Sequence, residues 1–273
     1  MDRIGIALWN FEGDPIGNLR MFVGMGYTAV SINGKLLDTF GESQEQEILR
    51  IATQSDIIFT FHGGLTNDEG ASAQRRAIRI LKWQECTGRV ACVSYDTPRI
   101  HTPDGVKRAD PEPILPIFRE MLELFAGTGI RIALEDCPID ADHLQHLGAL
   151  QDQYPHAGVL VDLGHINLRL RERARMQTEP TRQEINAYLN EIPWEIVELH
   201  VHSNDGTRDQ HAPPYFPNAD LPSAACTLRD MGFSGISTIE IAPRWCGLTA
   251  DEAIPAAAKS LEYWRHLIER SKT

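Results

Sequence analysis

Eight short apolar stretches with the length and composition of β-strands recur along the chain, at residues 3–9, 27–32, 57–61, 90–95, 130–135, 158–162, 196–202 and 236–241. Each is followed by a stretch of helical period, at residues 16–25, 44–52, 71–85, 112–125, 142–153, 182–191, 222–231 and 251–271. Strand and helix in strict alternation predict a parallel sheet, and eight such units are the number that closes into an α/β (β/α)8 barrel. No Ser/Gly-rich or Pro-rich linker interrupts the alternation, so residues 1–273 are expected to form one barrel domain. Length alone would not decide this, since 273 residues would also suit two average domains. The charged stretch 169–175 reads as a solvated loop or helix face.

Barrels of this kind place their chemistry at the C-terminal ends of the strands. The third strand ends Phe59-Thr60-Phe61-His62, the fifth Ala133-Leu134-Glu135, the sixth Leu160-Val161-Asp162, the seventh His200-Val201-His202 and the eighth Thr238-Ile239-Glu240. Alternation places Glu198, His200 and His202 on one face of the seventh strand and Val197, Leu199 and Val201 on the other. The apolar set is expected to meet the helices. His202 is the better placed for a site at the mouth, and His200, about 6.5 Å deeper at strand spacing, reads as a buried hydrogen-bonded residue supporting it. Glu135, Asp162, His202 and Glu240 would thus bring three carboxylates and an imidazole to one point. Carboxylates packed together repel unless a cation joins them, so one divalent ion is expected there. Mn²⁺, Mg²⁺, Co²⁺ and Zn²⁺ all accept such a set. No other cofactor is indicated.

Two further groups lie close by in sequence. Asp162-Leu163-Gly164-His165 carries a His three residues beyond the Asp, and the loop after His202 carries Asp205, Arg208, Asp209 and His211. Asn204-Asp205-Gly206 also has the composition of a tight turn. With these motifs the chain resembles the xylose isomerase-like TIM-barrel superfamily, over essentially its whole length up to Glu240. That superfamily includes sugar and sugar-phosphate isomerases and epimerases, inosose isomerases and dehydratases, and the barrel-type apurinic/apyrimidinic endonucleases. The resemblance implies that Glu135, Asp162, His202 and Glu240 bind the metal and that His165 and Arg208 contact substrate. His62, Asp209 and His211 are counted with the substrate-facing rim. In the endonuclease branch a His/Asp/His set for a further zinc would fall on His165, Asp209 and His211. A remaining zinc there needs His62 and a second His near the fourth strand, where Val93-Ser94-Tyr95-Asp96-Thr97 has none.

The expected activity is isomerisation or epimerisation of a sugar, sugar phosphate or related polyhydroxy-carbonyl compound. Glu135 and Glu240 would move a proton through a metal-stabilised enediolate. Expulsion of a β-hydroxyl from the same intermediate would make the enzyme a sugar or inosose dehydratase. A phosphodiesterase acting on damaged DNA is less well supported: 38 acidic against 26 basic residues leave a net charge of −12, unfavourable for holding phosphates. A barrel used only as a binding module is opposed by the complete ligand set. The loop 213–220 lacks the glycine-rich character of a phosphate cradle. Tyr215, Phe216, Trp9 and Trp245 are candidates for an aromatic wall, Trp9 more as packing, and Arg244 for an anion anchor or a surface pair. The N-terminal apolar run is too short for a signal peptide, and five scattered cysteines suit a reducing compartment. The expectation is a cytoplasmic protein with a small carbohydrate-like substrate and no nucleic-acid or membrane partner. Assembly into a homo-oligomer is compatible with the sequence.

Overall fold

All eight expected strands form, and parallel hydrogen bonding closes them into a single (β/α)8 barrel. The computed structural model describes residues 3–64, 70–96, 99–102, 105–108, 115–135, 150–174, 180–192, 194–217 and 219–270. In chain order the first four strands are β1 (Arg3–Ala7), β2 (Ala29–Asn33), β3 (Ile58–Gly64) and β4 (Val90–Asp96). A two-stranded antiparallel hairpin of β5 (Arg99–Thr102) and β6 (Gly105–Arg108) follows, in a stretch the sequence pattern leaves unassigned. The barrel resumes with β7 (Arg131–Glu135), β8 (Ala157–Asp162), β9 (Ile196–Val201) and β10 (Ile236–Ile239), and β10 pairs back onto β1.

Local signals start and stop the helices where the sequence places them. Helix α1 (Pro15–Met25) begins with Pro15 behind Asp14, whose carboxylate accepts from the Gly17 amide at 2.9 Å, and it ends at Gly26 with φ 95°. Helices α2 (Gly34–Thr39), α3 (Glu42–Ser55), α4 (Gly70–Thr87) and α5 (Leu115–Leu124) follow. The outward residues of β3 show how the layers join: Phe59 and Phe61 meet the Trp83 ring of α4 edge-on, with centroids 5.1 and 5.5 Å away. The predicted helix 142–153 lies outside the described residues except for its last four, which are helical. The remaining helices are α6 (Leu163–Ala174), α7 (Arg182–Asn190), α8 (Leu221–Asp230), α9 (Pro243–Cys246) and α10 (Ala250–Arg270). No helix among the described residues is long and apolar enough to cross a membrane.

Three sequence expectations change. Helices α2, α6 and α9 fall outside the helical stretches read from the sequence, because α2 and α9 are too short and α6 is too polar and Gly-containing to show a clear helical period. The stretch 169–175 is not simply solvated: Arg169 is buried and its guanidinium bonds the Tyr188 hydroxyl of α7. Val197 does not join Leu199 and Val201 on the helix side. The β8–β9 register steps from Val159↔Ile196 to Leu160↔Glu198, and Val197 instead packs with Cys92, Ala133 and Leu160 in a small separate cluster.

Trp83 is 2% exposed, and its indole N–H donates to Glu45 Oε1 at 3.1 Å. Trp83→Ala is therefore expected to destabilise the protein by about 3–5 kcal/mol in denaturant unfolding. A loss below about 1 kcal/mol would show that this contact between barrel and helix layer is not a main support.

Candidate metal and catalytic site

Helix α6 follows β8 without an intervening loop because Asp162 caps it, its Oδ1 accepting from the His165 backbone N–H at 3.0 Å. The same turn brings the His165 side chain over the barrel mouth. Asp162 also lies against His202, whose Nε2 is 2.9 Å from Oδ1 and 3.0 Å from Oδ2. The His202 ring rests on the backbone of Gly164, where any Cβ would overlap it. Glycine at this position is thus dictated by the approach of an imidazole.

The other expected residues gather around this pair through histidines. His165 Nδ1 is 3.1 Å from Glu135 Oε1, and its Nε2 is 3.0 Å from Asp209 Oδ2. His211 Nε2 reaches the same Asp209 oxygen at 3.1 Å, and the His211 ring stacks on His202 with centroids 3.9 Å apart. The backbone of His211 is left-handed, φ 44°, and is held by the antiparallel bridge between Ser203 and Ala212. Glu240 Oε2 lies 2.9 Å from His200 Nδ1 and 3.4 Å from His211 Nδ1. On the far side, His62 Nε2 is 3.3 Å from Asp96 Oδ1 and 3.8 Å from Glu135 Oε2.

The four expected ligands come from the ends of four adjacent strands, β7, β8, β9 and β10. Asp162 and His202 touch, while Glu135 and Glu240 flank them behind His165 and His200. Donor atoms within 4.8 Å of one another fall into overlapping groups: Glu135, Asp162 and His165; Asp162, His200 and Glu240; His165, His202, Asp209 and His211; and His62, Asp96 and Glu135. Mixed carboxylate and imidazole donors of this kind fit a divalent cation, and Asp209 Oδ1 is buried with no hydrogen-bond partner among the described residues. The fourth strand lacks the His that a multi-metal site would use, but it supplies the Asp96 carboxylate at that place.

Burial by itself raises carboxyl pKa values and lowers those of imidazoles, and here the mutual charges overcome it. Burial would raise Glu135, but hydrogen bonds from Asp96 and His165 and the nearby imidazoles hold it well below the usual range. Asp162 is likewise held down against burial by His165 and His202, and Asp209 by His165 and His211. Glu240 is lowered to about 2, chiefly by His200 and His211 acting against burial. Conversely, Glu240 and Asp209 push His211 up to about 9, and Asp96 and Glu135 push His62 up to about 10, in both cases against burial. Asp96 is raised by burial and by its hydrogen bond with Glu135.

Other expected contacts divide. Arg208 is exposed on the turn after His202. Asp205 serves that turn, accepting from the Thr207 amide at 2.9 Å and from the Gln210 side chain at 2.7 Å. Arg244 pairs with Glu12 at the surface, 2.7 Å away, and Tyr215 carries the Lys259 ammonium 3.8 Å over its ring. Trp9 lies parallel to His62 at 6.0 Å, and Trp245, 57% exposed, meets His211 edge-on at 5.0 Å, so these two indoles border the histidines. Sequence reasoning missed Asp96 as a member of the constellation. Its alternation with Cys92 and Ser94 on β4 was the available signal.

Two outcomes follow from this geometry. Gly164→Ala should displace the His202 ring and weaken divalent-metal affinity by about 10–100-fold with the fold retained, as read by metal titration and circular dichroism. Unchanged affinity would separate His202 from the metal. A cation among these carboxylates must also compete with the protons on His211 and His62. Affinity measured by calorimetry should therefore rise as pH increases from 6.5 towards 9, with protons released on binding. A flat pH profile would contradict the coupling.

The family model described as xylose isomerase-like TIM barrel matches residues 21–267. No curated protein matches the chain. Among solved structures, a D-psicose 3-epimerase with D-tagatose from Clostridium cellulolyticum is similar at TM-score 0.69 and 14% identity, covering 97% of this chain and 99% of that one. A D-tagatose 3-epimerase-like protein gives 0.72 and 13%, with 99% and 98% covered. The probable 3-DHS dehydratase AsbF from Bacillus anthracis gives 0.66 and 12%, with 95% and 98% covered. At these identities the structures attest the fold. A strand-for-strand barrel with an acid or imidazole at five strand ends, matched by the family model over most of its length, places this chain in the xylose isomerase-like TIM barrel family.

Proposed function

We propose that the chain is a divalent-metal-dependent isomerase or epimerase of a sugar, sugar phosphate or related polyhydroxy-carbonyl compound. The observation that carries this reading is the placement of two buried carboxylates, Glu135 and Glu240, on either side of the touching Asp162–His202 pair. Glu135, Asp162, His202 and Glu240 would hold the cation. When bound, it supplies positive charge beside a substrate carbonyl and so acidifies the neighbouring C–H. Glu135 and Glu240 are the proton-transfer pair: one, as the carboxylate, removes the carbon-bound proton, and the other, having taken up a proton exchanged with solvent, returns it from the opposite side. His165 and His211 are placed to hold substrate oxygens, joined by Asp209, which takes a contact from each ring. Arg208, on the exposed turn, and His62, beside Glu135, are the rim contacts. The epimerase and dehydratase descriptions of the similar structures support a carbohydrate-like substrate. Five scattered cysteines fit a cytoplasmic setting for a single 1–273 domain.

A second reading has one specific support. The groups around His62–Asp96–Glu135 and His165–Asp209–His211 provide donors for more than one ion, as a metal-dependent phosphodiesterase would need. The net charge of −12 weighs against a nucleic-acid substrate.

Incubating the metal-loaded protein in deuterated water with ketoses, inososes and keto-glycosides should place deuterium on substrate carbon. Glu135→Gln and Glu240→Gln should each lower exchange by about 10²–10⁴-fold. No exchange with any of these compounds, together with cleavage of abasic DNA and more than one bound metal, would replace this function with the second one. Elimination of water from an exchanging substrate would make the enzyme a dehydratase.

A further inference from the structure

Below the metal site, the inward side chains of β9 continue downward as His200 and Glu198, both fully buried. Barrel interiors are usually filled by branched apolar residues, so a carboxylate at this depth needs partners. Glu198 Oε1 accepts from Thr238 Oγ1 at 2.7 Å, and the Cys92 thiol lies beside the carboxylate. Its Oε2 has no hydrogen-bond partner among the described residues, nor do His200 Nε2 and the hydroxyls of Ser31 and Thr60. These atoms stand on two successive levels of the barrel interior, His200 with His62 and, one step below, Glu198 with Thr60 and Ser31. The His200 and His62 rings are 5.0 Å apart; Thr60 stands two residues below His62, as Glu198 stands two below His200, and Ser31 is the register partner of Thr60.

We propose that Glu198 and His200, joined by ordered water between these two levels, are positioning residues that fix the Glu240 carboxylate for proton transfer. His200 Nδ1–H donates to Glu240 Oε2, the oxygen that His211 also approaches. A water here donates one hydrogen to His200 Nε2 and the other to Glu198 Oε2. Two otherwise unpaired acceptors are thereby satisfied, and the proton of His200 is kept on the nitrogen that Glu240 needs. The catalytic part of this proposal rests on Glu240 acting as a proton-transfer group; the hydrogen-bond arrangement does not.

The test combines a spectroscopic and a kinetic readout on the magnesium-loaded full chain. Long-range ¹H–¹⁵N spectra of histidine-labelled protein, with His200 assigned through the His200→Asn variant, should show its Nδ1 protonated. A proton on Nε2 alone overturns the proposal. In substrate deuterium exchange, His200→Gln, which offers a side-chain N–H only at the Nε2 end, should lower kcat by about 10–100-fold with KM and metal content unchanged. His200→Asn, which offers one at the Nδ1 end, should be restored towards wild type. Glu198→Met should lower kcat in the wild-type background and add little in His200→Asn. Equal losses in the Asn and Gln variants, or an additive Glu198 effect, also overturn it. If the wild-type protein exchanges no substrate proton, the proposed function fails while the protonation of His200 still decides the hydrogen-bond arrangement.

Discussion

Burying several carboxylates at one end of a barrel is the constraint on which the rest of this structure turns. Removed from water, such charges repel one another strongly and must be offset by positive charge or hydrogen bonds close at hand. The chain answers with imidazoles placed between them: His165 between Glu135 and Asp209, His202 against Asp162, His200 and His211 against Glu240. Glu135, Asp162, Asp209 and Glu240 are held below their ordinary range, and His62, His200 and His211 are raised. The same donors that share this charge are those that suit a divalent cation, so the electrostatics of the mouth and its chemistry are one problem.

The barrel supports this in a simple way. Parallel strands deliver their ends to one side, and outward residues such as Phe59 and Phe61 bind the helical layer without disturbing the inward ones. Asp162 links the two roles, since one oxygen caps α6 while the carboxylate as a whole meets His202. A residue engaged at both backbone and side chain has little freedom to relax. The close packing of Gly164 under the imidazole adds to that rigidity, which a proton-transfer site requires.

Much of this was legible in the residues. Strand alternation gave the number and order of barrel strands, and the terminal residues of those strands gave Glu135, Asp162, His202 and Glu240 as a set. The unexpected helices show where pattern fails: α2 and α9 have only six and four residues, and α6 carries Arg169 into the interior, where it bonds Tyr188. Val197 shows another failure, because a register step on β8–β9 reassigns its face without leaving a mark in the local alternation. Arg208, grouped with the substrate contacts by resemblance, stands exposed on its turn, whereas Asp96, set aside for not being a histidine, joins His62 and Glu135.

The sequence by itself determined the barrel and the composition of its mouth, because both depend on period and on strand ends, which are local properties of the chain. Only the tertiary structure decided who faces whom. Glu135 meets His165 rather than His202, Glu240 is held from beneath by His200, and Asp209 is shared by two histidines. Such pairings join residues from different strands and loops, and they are set by barrel closure, strand register and the competition among buried charges for the nearest partner.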